Sequence, residues 1–299
     1  MSRRGAASCV VLALTLAAGV TACGSQGAAS GAGQASSQAT QLAAARVNPP
    51  ADIKAAGVIR IAMDEAYPPF ESQESSGAVV GFDPDLARAI GGVLGVKVEF
   101  VNTSFDAIIP ALAAKKVDMA MSSIGDTKAR QAIVDFDTYY WNGTRVLVLR
   151  GNPKQIRGDL TCGARIGVIR GSLQQTMGLP AQAAKCQAAG KPAPTVEAYQ
   201  SGPQAQLALE SGRVDGVMQD APVVLAAVAA APQAFEAAQP FVKNPNPGGV
   251  AFPKGSDLVQ SVNEALNLLI KDGTYATILK KWSLSSIAIG RSQINGALS

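Results

Sequence analysis

The sequence predicts an α/β protein made of two similar lobes joined by two crossing segments. Three observations point to it. Strand-like and helix-like stretches alternate from Gly57 onward, part of that pattern recurs later in the chain, and two extended segments interrupt it. Alternation of this kind implies a largely parallel sheet covered on both faces.

"VIRIAM" (Val58–Met63) reads as a short apolar strand. "GFDPDLARAIGGVLG" reads as a helix: Asp83 suits the N-cap, Pro84 the first helical position, and Gly95 the stop. Its Leu86, Ile90, Val93 and Leu94 fall on one face. "VKVEFV" is the next strand. "SFDAIIPALAAKK" is a helix opened by Ser104, in which Pro110 removes one internal hydrogen bond, and "VDMAMS" is a strand again.

The repeat sets "LAAKKVDMAMSS" (Leu112–Ser123) against "LESGRVDGVMQD" (Leu209–Asp220), and "IRIAMDEAY" against "ARIGVIRGS". Each lobe is thus an open α/β sheet, and such sheets hold ligands beyond the carboxyl ends of their strands. Ser123 and Asp220 then stand at equivalent strand ends and face each other if the lobes do. "YYWNGTRVLVLRGNP" and "NPNPGGVAF" read as the crossings. After the second, "SDLVQSVNEALNLLIKDGTYATILKKW" adds two amphipathic helices broken at Gly273. The expected division is 57–143 with 250–299 as lobe 1, and 144–249 as lobe 2.

The N-terminus reads as a targeting segment. Arg3 and Arg4 precede an apolar run from Cys9 to Val20, too short to span a membrane comfortably. The closing "VTAC" resembles the bacterial lipobox, whose cysteine, here Cys23, takes a lipid and becomes the mature N-terminus. The alternative is an ordinary signal peptide with a chance cysteine. A Gly/Ser/Ala/Gln tract follows and behaves as a tether. Residues 1–22 are therefore expected to be a lipoprotein leader and 23–56 a flexible tether, holding the protein at the outer face of the cell membrane. Cys162 and Cys186 remain. Outside the cytoplasm two such thiols usually pair, the alternative being two buried free thiols.

Composition excludes some classes. The net charge of +4 comes without a basic run longer than a pair such as Lys280-Lys281, so no nucleic-acid surface is expected. "MSSIGDTKAR" (Met121–Arg130) gathers hydroxyls, a glycine and an arginine as a catalytic site would, yet the chain contains no histidine to act as base. No metal or cofactor is expected.

From about Val58 to Trp282 the chain resembles the extracytoplasmic solute-binding proteins of ABC importers, in the polar amino-acid group (family 3). The residues that carry the likeness are "AYPPFE", "GFDPDLARAI", "FDAIIPALAAKKVDMAMSSI", "TKAR", "GVIRGSLQ", "SGRVDGVMQD" and "IKDGTYATILKKW". "LTCG…KCQAAGKPAP" resembles the actinobacterial variant, with both cysteines in the second lobe. The resemblance implies a type II periplasmic-binding-protein fold with a ligand cleft between the lobes. It also implies a monomer that passes a free amino acid to a membrane ABC permease.

Carried over residue by residue, Arg130 grips the ligand carboxylate through two parallel charge-assisted hydrogen bonds. The backbone N–H groups of Gly125, Ser172 and Leu173 assist, the last two at a turn entering a helix. Asp220 and Ser123, next to Ser122, receive the ammonium. Tyr67 and Phe105 flank the ligand side chain, Asp64 lies deeper and suits a cation, and Trp141 closes one wall. Gly125 departs from the Ser or Thr usual in the family, which removes a hydroxyl contact. Glutamine, other polar amino acids and opine-like derivatives stay open beside cationic ligands. Two other functions stay open as well. One is an enzyme such as a dehydratase, which would need an acid or base from Glu71, Asp64 or Glu65. The other is a sensing ectodomain with a separate signalling partner.

Overall fold

The computed structural model describes residues 45–299. The leader, Cys23 and most of the expected tether lie outside the described residues.

Helix α1 (Ala51–Ala56) leads into β1 (Val58–Met63). A small antiparallel sheet follows, made of β2 (Ala66–Tyr67), β3 (Glu71–Gln73) and β4 (Val79–Val80). Next come α2 (Phe82–Leu94), β5 (Lys97–Asn102), α3 (Phe105–Ala113), β6 (Met119–Ala120), the short α4 (Lys128–Gln131) and β7 (Val134–Tyr140). The chain then crosses to β8 (Gly143–Leu149) and β9 (Arg165–Ile169). A π-helical turn, Gln174–Gly178, runs into α5 (Leu179–Ala188). After it come β10 (Thr195–Tyr199), α6 (Gly202–Glu210), β11 (Gly216–Asp220), α7 (Ala221–Ala230) and β12 (Phe235–Lys243). The chain crosses back to β13 (Gly248–Pro253), α8 (Leu258–Lys271) and α9 (Thr274–Lys281).

Two five-stranded sheets result, in the orders β5-β1-β6-β13-β7 and β10-β9-β11-β8-β12. In each, the first three strands are parallel, as the alternation predicts. The fourth strand, β13 or β8, is antiparallel to its neighbours, so the sheets are mixed. The crossings explain this. β8 and β13 each enter their lobe from the other one, so they start at the facing ends of the sheets and run away from them.

The repeat corresponds to real equivalence. β6 and β11 both occupy the middle of their sheets. Asp118, before β6, takes the backbone N–H of Arg60 at 2.8 Å and its guanidinium at 2.9 Å. Asp215, before β11, does the same for Arg165 at 2.9 and 2.8 Å. Both pairs lie at the surface, where they mark register more than they add stability.

Helix α2 buries Leu86, Ile90, Val93 and Leu94 against the first lobe's core, and Gly95 ends it at a φ of 67°. Its start corrects the sequence reading. Gly81 holds the N-cap at a φ of 139°, where a Cβ would fall 2.1 Å from the Phe70 carbonyl oxygen. Asp83 instead turns into the protein, where it is fully buried and accepts the Ser123 backbone N–H at 3.0 Å and the Tyr139 hydroxyl at 2.8 Å. Helices α8 and α9 meet at Gly273, with a φ of 84°.

In the second lobe the sheet is covered on both faces by separate apolar clusters, one around Val146, Ile166 and Met218 and one around Leu147, Leu209 and Val217. Cys162 and Cys186 form a disulfide that ties the loop before β9 to α5. A cross-link over a 24-residue separation stabilises by about 3 kcal/mol through restriction of the unfolded chain.

Candidate functional site: the interlobe cleft

The carboxyl ends of the parallel strands in both sheets meet across the crossings, and a cavity lies between them. Its wall from the first lobe includes Asp64, Tyr67, Phe105, Ser122, Ser123, Gly125 and Arg130. The second lobe contributes Ile169, Ser172, Leu173 and Asp220. The enclosed space is about 30 Å³, measured for the centre of a water-sized sphere.

The space is small because the polar groups of the two lobes bond directly to one another. Asp220, at the end of β11, is 7 % exposed. One of its oxygens accepts the Ser123 hydroxyl at 3.0 Å and the Tyr67 hydroxyl at 3.2 Å, and the other accepts the Gln174 amide at 3.1 Å. Ser123 is placed by a left-handed backbone, with a φ of 47°, pinned through its N–H to the buried Asp83. The Tyr140 hydroxyl lies 2.9 Å from the Ser123 hydroxyl. Burial pushes the Asp220 carboxyl up to about 6, against the pull of these donors.

Arg130 spans the cleft. Thr127 caps α4 by accepting the Arg130 N–H at 3.2 Å, which sets where the side chain departs. One guanidinium nitrogen donates to the Gly125 carbonyl at 2.7 Å and the other to the Gly171 carbonyl of the second lobe at 2.8 Å. The guanidinium carbon sits 5.8 Å from the centre of the Phe105 ring. Burial lowers this group to about 10, so it remains a cation at neutral pH.

Asp64 follows β1. Its N–H donates to the Ser122 hydroxyl at 3.0 Å, and its carboxylate accepts the Phe105 N–H at 3.3 Å. Burial raises it to about 6. The Ser122 hydroxyl in turn donates to a Glu71 carboxyl oxygen at 2.7 Å. Glu71 is fully buried, and burial together with the adjacent Asp83 pushes it well up. Burial thus disfavours its charged form, and its Oε2 is buried without a hydrogen-bond partner.

Of the residues expected at the site, Trp141 is the one the cavity does not include. Side chains of an extended crossing alternate, so with Tyr140 and Asn142 on the cleft side, Trp141 points outward. Its indole N–H donates to the Asn244 carbonyl at 3.1 Å, and Lys243 lies 5.3 Å over its ring. The Ser172 N–H, expected to face a ligand carboxylate, donates to the Ile169 carbonyl at 3.1 Å and closes the turn. Sequence reasoning missed Tyr140, Asn142, Gln174, Asn244 and Asn246, which also line the cavity. Four of them belong to the crossings, read from sequence as connectors. The polar pattern of "NPNP" was the available signal. Gln174 stands two residues past Ser172 in the turn already singled out.

The model of the bacterial extracellular solute-binding proteins, family 3, matches residues 59–285. The chain belongs to that family. An arginine-binding protein of Corynebacterium glutamicum is 29 % identical over 245 residues, covering 80 % of this chain and 78 % of that protein. A histidine-binding periplasmic protein of Escherichia coli is 32 % identical over 232 residues, covering 75 % and 86 %. The solved structure of an ancestral arginine-binding protein bound to arginine superposes with a TM-score of 0.69 at 36 % identity, covering 76 % and 98 %. The fold is that of the two-lobed type II periplasmic amino-acid-binding proteins. The family is described by solute binding and these relatives by amino-acid binding, not by a catalysed reaction. Among the described residues, no helix is long and apolar enough to cross a membrane.

Gly125 now has a physical account. A Cβ there would lie 2.1 Å from a Leu173 methyl, so the bare backbone leaves room for an apolar side chain from the opposite lobe. Gly125→Thr should therefore oppose closure. Overpacking of about 1–3 kcal/mol corresponds to roughly a 5- to 150-fold loss of amino-acid affinity by calorimetry. Adding Leu173→Ala should recover much of it. If Gly125→Thr binds like the wild type, Leu173 does not occupy that space in the closed protein.

Proposed function

We propose that this protein is the lipid-anchored receptor of an ABC amino-acid importer, which closes on a free cationic amino acid and delivers it to the membrane permease. The charge balance of the cleft carries the reading. Among the described residues lining the cavity, Arg130 is the one cation, facing Asp64, Asp220 and Glu71. Burial disfavours charge on Glu71, so the balance left by Asp64, Asp220 and Arg130 is one negative charge, which a ligand with one net positive charge offsets. An arginine or lysine zwitterion has that charge.

The geometry suits the same ligand. Its carboxylate replaces the Gly125 and Gly171 carbonyls as the partner of Arg130. Its ammonium takes over the hydroxyl contacts of Asp220. Its side-chain cation reaches Asp64, between the rings of Tyr67 and Phe105. Since the closed cleft has little free space, the ligand enters with the lobes apart and substitutes for their internal bonds. The names of the relatives, which include arginine- and histidine-binding proteins, support this class.

Both acids set a pH dependence. A cation binds Asp64 and Asp220 when they are ionised, so arginine affinity should hold above pH 6 and fall as pH drops through about 6. The free closed protein responds with the opposite sign. Carboxyls raised above their unfolded values contribute stability that is fully present below about pH 4 and lost as pH rises through about 6. The melting shift produced by arginine should therefore grow from pH 5 to pH 7. Calorimetry should rank arginine above glutamine and glutamine above glutamate. Asp64→Asn should weaken arginine most and narrow its lead over glutamine. Tightest wild-type binding to glutamate would overturn the reading.

The anchor rests on "VTAC" and the tether after it. Cys23→Ser should move the protein from the membrane fraction to the soluble one. Unchanged membrane retention would refute a lipid on Cys23.

A further inference from the structure

A second cavity, of about 420 Å³, lies on the outer side of the crossings. Both lobes build it. Trp141 and Arg145 come from the first crossing and β8, Leu225 from α7, Phe241 and Lys243 from β12, and Ile287 from the first lobe's segment after α9. The Trp141 N–H donates to the Ile287 carbonyl at 2.9 Å, which ties two of these walls together.

The chemistry of the walls is one-sided. Among the described residues that line this cavity none is acidic, while Arg145 and Lys243 are cations. Each cation rests on an aromatic face, Arg145 at 5.4 Å from the Phe241 ring centre and Lys243 at 5.3 Å from that of Trp141. Two guanidinium nitrogens of Arg145, Nε and Nη1, are buried without a hydrogen-bond partner. So is the amide nitrogen of Asn142, a residue 5 % exposed that lines both this cavity and the cleft. Unsatisfied buried donors are costly and call for an acceptor. The apolar surface beside them is open, with Phe241 43 % and Leu225 50 % exposed.

We propose that this cavity is a second ligand site, for an organic carboxylate with an apolar body and no amine. The carboxylate pairs with Arg145 and Lys243, and the body packs on Trp141, Phe241 and Leu225. An α-amino acid does not suit it, since its ammonium would meet two cations and no acid. Because the walls come from both lobes, an occupant favours the closed arrangement. It therefore tightens amino-acid binding in the cleft, and by reciprocity an amino acid tightens the second site.

Benzoate is the probe. In a Trp282→Phe background, Trp141 is the one remaining tryptophan and reports directly. Benzoate should change its fluorescence saturably. Arg145→Met should abolish the response, and so should Leu225→Glu, an exposed position where a carboxylate repels the probe without disturbing the fold. Acetate and inorganic phosphate should bind more weakly. Saturating benzoate should raise arginine affinity several-fold. This last arm rests on the cleft reading, whereas the fluorescence arm does not need arginine to bind at all. The proposal fails if there is no saturable response, if both variants respond like the parent, if acetate matches benzoate, or if arginine competes benzoate away.

Discussion

The arrangement depends on a carboxylate taken out of water. Asp220 is the last residue of β11 and the N-cap position of α7, and its side chain projects where the two sheets face each other. Alone in that place it would be unstable, so its ionised form requires donors within bonding distance. The donors come largely from the opposite lobe, through the hydroxyls of Ser123 and Tyr67. Closure and the solvation of Asp220 are therefore one event. On the proposed reading, a ligand ammonium would compete for the same acceptor with a full charge.

The groups behind this contact serve its geometry. Ser123 presents its hydroxyl from a left-handed backbone that costs energy for a residue with a Cβ. The bond from its N–H to Asp83 offsets that cost. Asp83 is in turn held by the Tyr139 hydroxyl. Glu71 fixes Ser122, and Ser122 fixes the backbone of Asp64. One buried network thus positions the acceptor expected for the ammonium and the acid expected for the side chain, from a single strand end and its neighbours.

The sequence made the fold legible through its repeat. "VDMAMSS" and "VDGVMQD" placed Ser123 and Asp220 at equivalent strand ends, and these two side chains do meet. The mixed sheets were less visible, because strand direction follows from where a crossing strand starts rather than from its composition. Asp83 misled for a specific reason. Asp-Pro beside a helix start is a strong capping signal, and local pattern does not reveal a buried tyrosine and serine waiting in the core. Trp141 falls outside the cleft because side chains of an extended segment alternate, and its neighbours Tyr140 and Asn142 take the inward positions. Arg130 was singled out by residue type, but its reach to Gly171 depends on the approach of a second lobe, which no local stretch encodes.

The central claim is that Arg130 reads a ligand carboxylate while the acids read its cations. Calorimetry with arginine and agmatine, its decarboxylated analogue, on the wild type and Arg130→Ala tests it most directly. The account predicts that Arg130→Ala costs arginine about 2–5 kcal/mol and agmatine far less, so that the two ligands converge on the variant. An equal loss for both ligands would place Arg130 in the closure of the lobes alone and contradict the account.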